Sequence, residues 1–164
     1  MLDFESHRVM KYLQQQKVDW KVIDHRPAPT TSLSARFAHV PGRMVMKPVL
    51  LTCDHQPLML VLPATHRIDF DLFRQSRPCR SLQLASRDDL SRYFPDCMVD
   101  ALPPFGHLYN IAMLVEQNLA ENEFVCFHPG VDHILIEIPF NVYEQLVNPE
   151  FIVASVPARF TNAS

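Results

Sequence analysis

Lys47 stands among Val45, Met46, Pro48, Val49, Leu50 and Leu51. An ammonium in that company points to water or meets an anion, because burial without a partner is costly. Pro48 removes a backbone donor, which predicts a strand edge or a bulge beside the lysine. A second stretch, Val99-Asp100-Ala101-Leu102-Pro103-Pro104-Phe105-Gly106, carries two adjacent prolines. Each proline fixes its φ near about −65° and donates no backbone N–H, and each drives the residue before it out of the helical region. Such a stiff corner suits the wall of a binding site or a rigid connector between strands. The chain has 3 glycines, so the one spent at Gly106 is a selective use. Thr30, Thr31 and Ser32 offer hydroxyls at a predicted helix start, where they cap the helix or hold an anion. His128 and His133 flank Pro129-Gly130. As metal ligands they have no evident third partner, so no metal is expected. No Ser/His/Asp or Cys/His set stands at a recognisable spacing.

The elements that must position these residues are read from periodicity. Residues 4–17 predict a surface helix, with Val9, Tyr12, Leu13 and Gln16 at helical spacing. Val18 to Ile23 alternates as a half-buried strand. The turn Asp24-His25-Arg26-Pro27-Ala28-Pro29 leads to a helix with Leu33 and Phe37 on one side. Met44–Cys53 and Leu58–Leu62 predict a hairpin through Gln56-Pro57. A short helix is expected near Asp69–Gln75, and a strand at Leu82–Ala85. Ser86 with Asp89 three residues on is a capping-box signal for a helix through Leu90 and Tyr93. Ile111–Val115, Phe124–Phe127 and Ile134–Ile138 predict three more strands. A helix follows near Asn141–Val147, with Val142 and Leu146 inward. The tail from Asn148 holds Phe151, Ile152, Val153 and Phe160, enough to dock, with loose ends. Strands interleaved irregularly with short helices make a mixed α/β (α+β) domain.

Composition bounds the rest. A chain of 164 residues fits one domain with a real core, and 48% hydrophobic with 20% charged residues is ordinary for a globular protein. No apolar run approaches a membrane span. The acidic start Met1-Leu2-Asp3-Phe4-Glu5 lacks a secretion-signal pattern, so the expected location is cytoplasmic. Cysteines 53, 79, 97 and 126 form no Cys-x-x-Cys pair and read as reduced thiols used as small hydrophobes. A net charge of −3 argues against bulk electrostatic gripping of nucleic acid but leaves room for a local phosphate pocket.

Taken in order, several segments are similar to one family. They are Val18-Asp19-Trp20 to His25, Thr31-Ser32, Lys47 opening a strand, and Val61-Leu62-Pro63-Ala64-Thr65-His66-Arg67-Ile68-Asp69. Leu84-Ala85-Ser86, Phe94-Pro95-Asp96-Cys97 and Ala101-Leu102-Pro103-Pro104-Phe105-Gly106 complete the series. The chain resembles the YbaK/prolyl-tRNA synthetase-associated family of aminoacyl-tRNA deacylases over roughly residues 5–147. The resemblance implies a twisted, largely closed mixed sheet with helices packed outside, as one domain over 1–147 and a tail over 148–164. It implies trans-editing: hydrolysis of the ester of a mischarged aminoacyl-tRNA, without a cofactor. Water or the ribose 2′-hydroxyl would attack, and Lys47 would position the substrate as the catalytic lysine.

The family's Gly-x-x-x-Pro loop maps onto Asp100, Ala101, Leu102, Pro103 and Pro104. A later turn maps onto Pro129-Gly130 with Asp132 or His133 beyond it, so Gly130 and His133 join Thr31 and Ser32 as expected substrate-binding residues. The implied partners are the aminoacyl-tRNA 3′ end and, for delivery, an aminoacyl-tRNA synthetase; no membrane is involved. Asp100 stands where the family has glycine, and Pro48 follows Lys47 where a small or β-branched residue is usual. A carboxylate at 100 would obstruct the ester, pair with the substrate α-ammonium or Lys47, or turn to solvent. That departure carries the alternative reading, a catalytically weakened binding module of the same fold.

Overall fold

Helix α1 (Arg8–Gln15) starts at His7, whose Nδ1 accepts the Val9 N–H, and it buries Val9, Met10 and Leu13. The computed structural model describes residues 4–158; the readings of Met1–Asp3 and of Phe160 fall outside them. Strand β1 (Lys21–Asp24) follows. Helix α2 (Thr31–Ala38) is capped by Thr30 and buries Ser34 and Ala35, with Leu33 and Phe37 half-buried. Strands β2 (Met46–Cys53) and β3 (Gln56–Pro63) form the expected hairpin, with β2 shorter and β3 longer than predicted. Its turn is Asp54-His55, both at positive φ (50° and 69°), and Gln56-Pro57 belong to the strand. Strand β4 (His66–Ile68) leads to helix α3 (Phe70–Ser76), capped by Asp69. After β5 (Leu82–Leu84), helix α4 (Arg87–Tyr93) opens with the predicted Ser86–Asp89 capping box.

The chain continues through β6 (Ala112–Glu116), β7 (Phe124–Phe127) and β8 (Ile134–Pro139). Helix α5 (Phe140–Val147) turns Phe140 and Tyr143 inward, and Val142 and Leu146 stay partly exposed. The tail adds β9 (Glu150–Ile152) and β10 (Ser155–Pro157). Strand order is β5-β2-β3-β6-β9 in one sheet, β1-β8-β7 in a second and β10-β4 in a third. The mixed α/β class is as expected. The largely closed sheet is not found: the named strands form separate sheets, joined at a parallel bridge between Val45 and Cys126.

Alternation along β2 sets two faces. Met46 and Leu50 point into the inner core with Val9, Met59, Val61, Val115, Phe127 and Ile136. Leu51 packs outward with Leu60, Leu62 and Phe73, and Val45 outward with Ala35, Ala64, Cys126 and Leu135. Each large side chain buried in these clusters contributes about 1.5–3 kcal/mol. β3 covers one edge of β2 throughout. The other edge meets β7 at Val45 and β5 only from Leu51, so Pro48 falls in the gap, an edge position as predicted.

Cys53 and Cys79 correct the expectation of reduced thiols. They form a disulfide, with Cα atoms 5.6 Å apart, where the β2 end meets the segment after α3. A separation of 26 residues with no motif gave the pairing no local signal.

Candidate functional site

Lys47 shares the outer face of β2 with Val45 and Val49, and its Nζ donates to the His66 backbone carbonyl. Burial of this side chain pushes its pKa below the ordinary lysine value. His66 is itself fixed. Its Nδ1 lies 2.9 Å from Ser155 Oγ, and its Nε2 3.4 Å from Asn118 Nδ2. His66 lines a cavity with Arg43, Pro63, Thr65, Asn118, Glu121 and Asn122. Ser32 at the start of α2 donates to the Ala64 carbonyl at 3.0 Å, and Ala64 N–H donates to Val45, so α2 is tied to the strand ends next to Lys47. Thr31 is the first residue of α2, and the capping oxygen belongs to Thr30.

Of the segment 100–106, Asp100 alone is exposed; Ala101, Leu102, Pro103, Pro104, Phe105 and Gly106 are buried. Leu102 and Phe105 pack into the inner core, and the Pro104 carbonyl accepts the buried Tyr143 hydroxyl at 2.7 Å. Here the prolines brace the core side of a wall. Asp100 is paired with Arg87 at 3.2 Å, both groups reaching solvent. Its φ is not among the positive ones, so the backbone at this position does not require glycine.

The turn after β7 joins this wall to β1. Gly130 has φ +98°, and a Cβ there would sit 2.5 Å from His7 Nε2. Its carbonyl accepts Met98 N–H, and Met98 in turn accepts Ala101 N–H. On the other side His133 lends its carbonyl to the His25 N–H at 2.9 Å, while its exposed side chain faces Asp132 at 3.9 Å. A parallel bridge between Val45 and Cys126 joins the start of β2 to β7. The structure therefore gathers the Gly130 turn, the Met98–Ala101 segment and the β2 and β7 ends. It does not pair Asp100 with Lys47.

Sequence reasoning gave His25 no role in the site and read His128 as a histidine flanking a turn, with a metal not expected. His25 is 8% exposed and His128 3%. Their rings meet edge to face at 5.5 Å, and both Nε2 atoms are buried without a hydrogen-bond partner. An unmade hydrogen bond of this kind costs about 1–3 kcal/mol. Burial first, then the charge of His25, lowers the His128 pKa to about 4. The only sequence signal was their position at the ends of predicted strands. The free thiols offer no nucleophile: burial pushes both Cys97 and Cys126 up to about 12. Among the described residues one His/Cys/Asp cluster, His7, Asp96 and Cys97, has ligand atoms close enough for a metal. There His7 Nδ1 already accepts the Val9 N–H, which leaves Nε2 as the protonated nitrogen of a neutral ring and a poor ligand.

A family model described as an aminoacyl-tRNA editing domain matches residues 25–146. Among solved structures, the hypothetical protein APE2540 superposes with a TM-score of 0.79 at 16% identity, covering 90% of this chain and 99% of its own. A candidate trans-editing enzyme for prolyl-tRNA synthetase gives 0.79 at 15% identity, covering 95% of this chain and 99% of its own. A candidate signal transduction protein from Marinobacter aquaeolei VT8 gives 0.70 at 15% identity over 90% of this chain but 30% of its own. These likenesses concern the fold. No curated protein sequence matches the chain.

Proposed function

The chain belongs to the aminoacyl-tRNA editing domain family, and from that premise we propose that it hydrolyses the ester of a mischarged aminoacyl-tRNA, with Lys47 positioning the 3′ end. The observation that carries the reading is Lys47 itself. Its ammonium is partly buried and held by the carbonyl of His66, a residue that lines a cavity together with Arg43 and Glu121. A lysine in this state has donors left for a phosphate or ribose oxygen, and holding the ester in place lowers the entropic part of the barrier. Both free cysteines are protonated, so water or the ribose 2′-hydroxyl is the attacking group, as expected from the family. The net charge of −3 fits delivery of the tRNA by a partner such as a synthetase rather than tight binding by this domain alone.

The alternative, a module that binds without turnover, rests on Asp100 in place of glycine. The pairing of Asp100 with Arg87 speaks against obstruction, because it directs the carboxylate to a neighbouring cation at the surface. Deacylation assays over a panel of mischarged tRNAs separate the two. Release of an amino acid well above the spontaneous rate is expected for at least one. Spontaneous rates throughout, with retained binding of an aminoacyl-adenosine analogue, would establish the module instead.

A further inference from the structure

Strand β4 (His66–Ile68) carries the carbonyl that meets Lys47, yet among the described residues its one strand partner is β10. That partner lies beyond residue 146, where the match to the family model ends. The register sets His66 opposite Pro157, Arg67 opposite Val156 and Ile68 opposite Ser155. Two further bonds close the pair at its ends: Ala158 N–H donates to the Thr65 carbonyl at 2.8 Å, and Asp69 N–H to the Ala154 carbonyl at 2.8 Å. Ser155 adds a side-chain link, its Oγ 2.9 Å from His66 Nδ1. A pair of such short strands is marginal by itself, so the tail needs an anchor of its own. Strand β9 supplies part of it by running parallel to β6. The rest is Glu116 at the end of β6, 3% exposed, whose Oε2 accepts the Ala154 N–H at 2.9 Å. Ala154 is fully buried, so its N–H has no water to turn to if that acceptor is lost.

We infer that the segment after α5 belongs to the lysine site: it fixes β4 so that the His66 carbonyl holds the Lys47 ammonium, and Glu116 and Ser155 act as positioning residues. For its effect on rate, the inference rests on the deacylase reading. Lys47 carries its charge on a flexible four-carbon stem, and a part-buried ammonium keeps one place only while an acceptor holds it. A β4 freed from β10 carries the carbonyl away, and the ammonium swings out to water. The ester then loses a fixed partner, which raises the entropic part of the barrier. The tail acts on the substrate only through Lys47.

Glu116→Leu removes the acceptor, while Glu116→Gln keeps an oxygen for the Ala154 N–H. Hydrogen exchange at the Asp69 amide reads whether the tail is docked, and it should quicken about tenfold or more in Glu116→Leu alone. The pKa of Lys47 is read from the pH dependence of its amine labelling, followed by peptide mass spectrometry. Burial holds it below the ordinary lysine value in the parent; it should rise toward that value in Glu116→Leu and stay low in Glu116→Gln. Single-turnover deacylation should fall about tenfold in Glu116→Leu and return to within about twofold of the parent in Glu116→Gln. Ser155→Ala should move Lys47 and the rate the same way, with Ser155→Thr restoring both, and it serves where Glu116→Leu does not fold. A lowered melting temperature in Glu116→Leu, with Lys47 titrating and reacting as in the parent, would overturn the inference and leave the tail a strap for stability alone. An Asp69 amide that exchanges no faster would overturn it too. If the parent hydrolyses no tRNA but Lys47 still shifts in Glu116→Leu and not in Glu116→Gln, the coupling stands and only the deacylase reading fails.

Discussion

Asp100 stands where the resemblance implies a glycine, and its surroundings bear on what that change does. Its carboxylate faces Arg87 and its backbone lies outside the left-handed region. The account therefore expects Asp100→Gly to leave deacylation within about threefold, since an exposed ion pair is worth at most about 1 kcal/mol. A rise of an order of magnitude in the same assay would mean that the carboxylate obstructs the ester after all. His128 makes a prediction in pH. Its pKa falls from 6.5 to about 4 on folding, so below pH 6.5 the unfolded chain binds the proton that the folded chain refuses. Its stabilising effect is complete above pH 6.5 and is lost as pH falls toward 4, by up to about 3 kcal/mol. Urea unfolding at stepped pH should show that loss, and His128→Gln should flatten it over the same window. Lys47 and the proline run were legible at this scale because their types are conspicuous. The histidine pair was not, since a buried histidine looks like any other in sequence.

Local chemistry made most elements legible and left their faces harder to read. The Ser86–Asp89 box, the edge position of Pro48 and the three strands after Gly106 follow from capping, ladder donors and alternation. The buried residues of α2 and α5 were not those singled out in sequence, although Leu146 does pack against the core. Small Ser34 and Ala35 let α2 approach β2 closely, and Tyr143 turns inward because Pro104 offers its hydroxyl a buried acceptor. Neither partner is visible from the helix alone. The turn after β7 is the most constrained element. Gly130 combines φ +98° with a His7 ring where a Cβ would go. Gly130→Ala should cost about 2 kcal/mol or more, read as a drop in the denaturation midpoint. Stability within a few tenths of the parent would mean that the turn and α1 can separate without penalty.

Across the whole molecule, residues far apart in sequence are brought together by pairings that carry no local signal. The disulfide joins positions 26 apart, and the parallel bridge joins Val45 to Cys126. Closing a loop of that length stabilises a fold by about 3 kcal/mol in the chain-entropy account. Reduction with dithiothreitol should lower Tm by several degrees, and Cys53→Ser should melt with the reduced protein. No shift on reduction would mean that the bond is not formed in solution. Order and spacing made the family legible, because these survive where individual contacts do not. The approach of Lys47 to the His66 carbonyl and the contact of His25 with His128 depend on strand register, which spacing does not reveal. The proposed function is hydrolysis of an aminoacyl ester held by Lys47. Single-turnover deacylation of a mischarged tRNA by the parent chain and by Lys47→Ala tests it most directly. The account predicts a fall of about 100-fold or more in the variant, with its melting unchanged. A variant that deacylates as fast as the parent would contradict it.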